Sequence, residues 1–157
     1  MTSPDAAHFK EVLGHFATGL VVVTAETPDG PAGFTCQTFG SLSLEPPLVL
    51  FAATSSGASW GRVRQAPVVA INVLAAEQEP LARLFATSGA DKFADQGARR
   101  APGGSPLLEG ALAHLEGRVS AISAHGDHDI CVVAVDFVEA RAGHPLIYFR
   151  GGFAELA

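Results

Sequence analysis

The sequence predicts a mainly β protein: an antiparallel barrel of six or seven strands with a few short covering helices. Two observations lead there. Short apolar or β-branched runs recur along the chain, and most are joined by turns far too brief for the crossovers a parallel sheet requires. Hydrophobic residues make up 48% of the 157 positions and charged residues 17%. That is enough apolar material for one real core, so residues 1–157 read as a single domain.

Taken in order, Pro4-Asp5 supplies a helix start, and Phe9, Val12, Leu13, Phe16 and Ala17 follow at helical spacing, with Gly19 as the stop. Residues 20–25 (LVVVTA) form a β-branched strand, Thr27-Pro28-Asp29-Gly30 a turn, and the chain from Ala32 pairs back as a hairpin. Glu45-Pro46-Pro47 breaks that strand, and residues 48–53 read as a strand buried on both faces. A loop of hydroxyls and glycine (residues 54–59) leads into a short helix over 60–65 with Ser59 as N-cap. Residues 68–74 are a further strand, and 77–86 an amphipathic helix with Pro80 in its first turn. Residues 94–105 lack periodicity and predict a mobile surface loop. Two long strands, about 111–124 and 130–141, and a short one over 146–150 close the chain.

Residues 33–50, GFTCQTFGSLSLEPPLVL, stand apart. Thr35, Cys36, Gln37, Thr38, Ser41 and Ser43 are small or uncharged hydrogen-bonding residues set between Phe34, Phe39, Leu42 and Leu44. Composition alone favours a solvated edge strand running into a turn. The other reading is a lining for something flat, polar at its edge and partly buried, since a buried hydroxyl or amide is costly without a partner.

The totals exclude several classes. A net charge of −6 with ten scattered basic residues does not suit nucleic acid. Cys36 and Cys131 stand alone, offering neither a disulfide framework nor a C-x-x-C motif. The first residues lack the basic start and apolar run of a signal peptide, and no apolar segment reaches membrane-spanning length, so a cytoplasmic protein with no membrane partner is expected. Low charge with a positive mean hydropathy points to apolar surface covered by a second copy, a homodimer.

No phosphate-binding glycine loop and no G-x-S-x-G elbow is present. His125, His128 and Cys131 are spaced by three, but on a strand that spacing sends ligands to opposite faces, which argues against zinc. The 54–59 loop, with Ser55, Ser56 and Ser59, is either an anion site at a helix start or simple capping, the commoner case. Lys92, beside Phe93, reads by default as a solvated charge. His128 reads as a turn residue, and Tyr148 and Arg150 beside Gly151 as a strand end.

Together these segments resemble the flavin reductase family, small proteins with the FMN-binding split-barrel fold that serve as reductase components of two-component flavin-dependent monooxygenases. FATGLVVVTA resembles the family's opening junction, and GFTCQTFGSLSLEPPLVL its core pattern G-x-T-x-N-S-F-x-S-x-S-x-x-P-P-L. VVAINVLAAEQEPLARLFA, ADKFA, GDHDICVVAV and PLIYFRGGF follow in the family's order. The resemblance implies a split, Greek-key-like barrel and hydride transfer from NADH or NADPH to FMN or FAD. It also implies a homodimer and a monooxygenase that takes the reduced flavin.

By the same resemblance, Thr35, Cys36, Gln37, Thr38, Ser41, Leu42 and Ser43 lie along the flavin. The phosphate falls to Ser55, Ser56, Ser59 and Lys92, with Phe93 beside it. His128, Tyr148, Arg150 and Gly151 fall where the nicotinamide docks, His128 being the candidate for orienting it or for protonation. Gln37-Thr38 replaces the usual Asn-Ser, and Gly40 stands where a hydroxyl is common; both alter the pocket's hydrogen bonding. A flavin carrier or electron-transfer protein without turnover is the alternative from another class, and a haem or deazaflavin occupant of the same fold a third.

Overall fold

The structure is a computed structural model that describes residues 1–97 and 99–157. Helix α1 (Ala6–Leu13) is capped by Asp5, whose carboxylate accepts from the amides of Ala7 and His8. It ends earlier than the sequence predicts, at Gly14, because Thr18–Gly19 is drawn into a two-residue strand β1. β2 (Val21–Thr27) and β3 (Gly30–Cys36) form the predicted hairpin, in register from Val21↔Cys36 to Thr27↔Gly30. Gly30 sits at φ +94°, a conformation that favours glycine, and the Thr27 hydroxyl donates to its carbonyl.

β4 (Gly40–Leu44) and β5 (Pro47–Thr54) pair around Glu45-Pro46, a cis bond; Pro47 opens β5 rather than breaking it. β5 is not buried on both faces. Val49, Phe51 and Ala53 point inward, while Leu48, Leu50 and Ala52 are half-buried. α2 (Ala58–Val63) begins two residues before the expected start, with Gly57 as N-cap, so Ser59 lies inside its first turn. β6 (Val68–Val73) precedes a 3-10 turn (Ala76–Gln78) and α3 (Glu79–Ala86), with Pro80 in the first turn.

β7 (Ala113–His125) and β8 (His128–Ala140) make the long hairpin. β9 (Ile147–Phe149) and β10 (Gly152–Ala154) finish the chain, β10 and β1 being unforeseen. The 94–105 segment is not all surface: Ala101 and Ser105 are buried, and Ala98 falls outside the described residues.

Among the described residues the main sheet has seven antiparallel strands in the order β3-β2-β6-β7-β8-β5-β4, and β1-β9-β10 form a small second sheet. The main sheet curls until its ends approach, and one side chain spans the gap. The Thr38 hydroxyl donates to the Ala52 carbonyl (2.7 Å) and accepts from the Ala52 amide (2.9 Å), standing in for a strand pairing that β3 and β5 lack.

Inside the curl, Phe34, Phe51 and Trp60 meet edge-to-face with centroids 5.7–6.0 Å apart. Burying a ring such as Phe51 contributes about 1.5–3 kcal/mol. A second cluster, including Val22, Leu74, Phe85, Leu108 and Leu146, seats α3 against the sheet. Gly33 permits that seat. A Cβ there would stand 2.8 Å from the Val23 carbonyl and 3.0 Å from the Phe85 ring.

Candidate functional site

The split between β3 and β5 opens into a cleft of about 460 Å³. One wall is the end of β3 and the two residues beyond it, Phe34 to Thr38 together; the facing wall is the end of β5 with the first turn of α2. The segment after α3, as far as Lys92, and His128 at the start of β8 complete the lining. These walls converge because β5 pairs β8 on one side and carries no strand partner beyond Leu50 on the other.

Several hydroxyls expected to meet a ligand are engaged within the protein. Thr35 donates to the Ala82 carbonyl (2.6 Å), fixing α3 to β3, and Thr38 closes the split through Ala52. Cys36 is buried with its sulfur 2.9 Å from the Thr38 hydroxyl, and burial pushes its thiol pKa up. It lines the cleft as a neutral group.

Lys92 is no solvated charge. Its ammonium donates to the Gly33 carbonyl (3.1 Å), the Phe85 carbonyl (3.0 Å) and Ser59 Oγ (2.9 Å). Burial, and then the nearby Arg62, push its pKa down. All three ammonium protons are thereby used. Ser59 Oγ, as acceptor, keeps its own proton to donate into the cleft.

His128 Nδ1 lies 2.7 Å from an Asp127 carboxylate oxygen. The hydrogen bond to His128 holds the Asp127 carboxyl below the usual range. Placing the proton on Nδ1 leaves Nε2 as the ring's second functional atom.

Asp129 is a residue the sequence reading missed. It is buried and accepts from Trp60 Nε1 (2.8 Å), Ser55 Oγ (3.0 Å) and Arg64 (3.0 Å). The Trp60 bond is the largest cause of its lowered carboxyl pKa, followed by burial, which opposes it, and then by Ser55 and Arg64. With the bond from the Ser55 amide to the Asp127 carbonyl, this cluster ties the 54–57 turn to β8 and sets the width of the cleft. A signal was present: Asp129, Cys131 and Val133 alternate on the core-facing side of β8, where a carboxylate must find donors.

Of the expected residues, the structure brings Thr35, Cys36, Gln37, Thr38, Ser59, Lys92 and His128 together. It does not bring in Ser41, Leu42 and Ser43, because β4 runs back along the outer edge of β5, away from the split. Ser55 is exposed and bonded to Asp129, and Ser56 is exposed. Phe93 packs edge-on against Phe85 at 5.2 Å and faces a neighbouring cavity. Tyr148 lines an adjoining pocket of about 610 Å³ that shares Thr35, Gln37 and Ala86 with the cleft and also holds Arg83 and Phe153. Arg150 and Gly151, both at positive φ, sit in a separate hollow beside α1.

The cleft gathers a hydroxyl donor, a half-buried ammonium, a neutral amide and an imidazole, with aromatic rings in its lining. Those residues fit a flat heterocycle with an anionic tail.

The family model described as Flavin reductase like domain matches residues 13–157. The chain belongs to this family.

Among its flavin reductase relatives, the reductase subunit HsaB of a flavin-dependent monooxygenase from Rhodococcus jostii (strain RHA1) is 39% identical over 150 residues, 95% of this chain and 77% of that protein. "FMN reductase (NADH) SmoA" of Agrobacterium fabrum (strain C58 / ATCC 33970) is 39% identical over 153 residues, covering 98% of this chain and 87% of its own length. Among solved structures, the NADH:FAD oxidoreductase SgcE6 of Streptomyces globisporus C-1027 superposes with a TM-score of 0.93 at 34% identity, over 100% of this chain and 96% of that one.

Proposed function

We propose that this protein is an NAD(P)H:flavin oxidoreductase that passes reduced flavin to a partner monooxygenase. The observation that carries the reading is the polar-lined cleft at the barrel split, supported by relatives named as NADH-dependent flavin reductases and monooxygenase reductase subunits. Bound flavin supplies the redox chemistry by accepting hydride from NADH or NADPH, and the protein binds and orients. Ser59 donates its free hydroxyl proton to the phosphate, and Lys92 adds positive charge while aiming Ser59. The Gln37 amide, exposed at the mouth, offers both donor and acceptor to the ring edge. His128, braced by Asp127, orients the nicotinamide or delivers a proton. The adjoining pocket with Tyr148 gives the nicotinamide nucleotide room beside the flavin.

A homodimer belongs to this reading, since α1 buries none of its residues and leaves Phe9, Val12 and Leu13 exposed, with Phe16 exposed just beyond it. A cytoplasmic setting fits the nicotinamide donor and the two free thiols. The test is to mix protein, flavin and NADH or NADPH without oxygen and follow the flavin's visible absorption. The reading predicts bleaching that depends on the protein. Flavin binding without bleaching by either donor would replace it with a carrier.

A further inference from the structure

His125, His128 and Cys131 are spaced by three, and on one continuous strand they would scatter to opposite faces. The structure places a reversal between the first two. Gly126-Asp127 is a two-residue turn with Gly126 at φ +62°, so His125 ends β7, His128 opens β8, and the two are directly opposed in register. Opposed residues of an antiparallel pair project from the same face, with Cβ atoms about 4.5–5.5 Å apart. The two imidazoles therefore stand side by side within reach of solvent, while Cys131 faces the core and is fully buried.

His128 gives Nδ1 to the Asp127 carboxylate at 2.7 Å, the arrangement in which a carboxylate fixes a histidine's tautomer and aims Nε2 at a metal. His125 Nε2 lies 3.0 Å from the Ser123 hydroxyl, and when that nitrogen donates, Nδ1 keeps the lone pair. Two neutral imidazole nitrogens at this spacing suit zinc, nickel or copper, with bonds to zinc of about 2.0–2.1 Å, and suit magnesium poorly. The Asp127 carboxylate adds negative charge beside them. Among the described residues no cluster of three or more His, Cys, Asp or Glu ligands forms, so the pair leaves the ion's other positions to water. His128 lines the cleft and His125 does not. An ion on both would therefore engage the Nε2 that His128 otherwise turns to a ligand.

We propose that His125 and His128 form a two-histidine site for a late first-row divalent cation such as zinc, and that the bound ion competes with the nicotinamide nucleotide for His128. The site stands apart from the flavin reading; the competition rests on it.

The experiment has two arms. Calorimetry titrates zinc chloride, without flavin or hydride donor, into the full chain, His125→Ala and His128→Ala. Steady-state flavin reduction by NADH is then followed with and without zinc in the full chain and His125→Ala, with magnesium chloride as the control. The full chain is expected to bind one zinc, and each variant to bind it at least about tenfold more weakly. Zinc should raise the KM for NADH while leaving kcat, and magnesium should do neither. His125→Ala should turn over as the full chain does without zinc, and need about tenfold more zinc for the same rise in KM. No zinc binding by the full chain, or equal binding by His125→Ala, would overturn the site. Zinc bound at the pair with the KM for NADH unmoved would overturn the competition. A full chain without turnover would remove the competition together with the flavin reading, and the calorimetry decides the site on its own.

Discussion

Gly33–Thr38 and Gly40–Leu44 are built from the same materials, hydroxyls and small residues between apolar ones, yet they end in opposite surroundings. The first segment lines the cleft and spends its side chains on closure and docking: Thr35 on α3, Thr38 on β5. The second lies on the outer edge of β5, with Ser41 and Leu42 exposed and Leu44 at 91% of full exposure. Residue chemistry does not separate them; position relative to the split does. A polar side chain lining a cleft can also be spent on holding its walls, as Thr35 and Thr38 are.

The comparison breaks most readily at Lys92. Removing its charge and three donors in Lys92→Met is expected to weaken flavin binding about a hundredfold, because two carbonyls and Ser59 lose their partner at once. Titration with either flavin checks this, and a change under about threefold would return Lys92 to the solvent.

Thr38→Val comes next, taking both hydrogen bonds from Ala52. The loss is about 1–2 kcal/mol, read as a melting temperature lower by about 5 °C together with a flavin KM raised several-fold. Stability lost without a change in KM would separate closure of the split from binding.

The comparison also concerns β8, which holds the cleft's other wall. The lowered carboxyl pKa of Asp129 in the folded state means that its contribution is present above the ordinary aspartate value. It is lost as pH falls through the folded value. Melting temperature should therefore hold between about pH 6 and 8 and fall below about pH 4, and Asp129→Asn should flatten part of that acid slope. Glu77, Asp127, Asp136 and Glu139 have lowered values as well and add to it.

The smallest effect is expected from Ser43→Ala. Flavin affinity should move less than about twofold, within the range of a surface substitution. A tenfold loss would place β4 against the ligand and dissolve the contrast.

Most of the fold was legible because β-branched runs and Pro-Gly turns state strands and reversals locally, as at Val21–Thr27 and its return. β1 and β10 were not, since two or three residues are too few to show a period. The polar stretch over 33–50 was legible as a region and not residue by residue. Whether Thr38 or Ser41 faces the cleft depends on where the sheet stops pairing, a long-range property. From the residues alone Lys92 reads as a solvated charge because two of its acceptors, at residues 33 and 59, lie far from it in sequence.

The most direct test is a structure of the protein with flavin bound. The account predicts the ring against Thr35–Thr38 within reach of His128 and the phosphate on Ser59 beside Lys92. A flavin resting on Ser41–Ser43, or in the hollow of Arg150 beside α1, would contradict it.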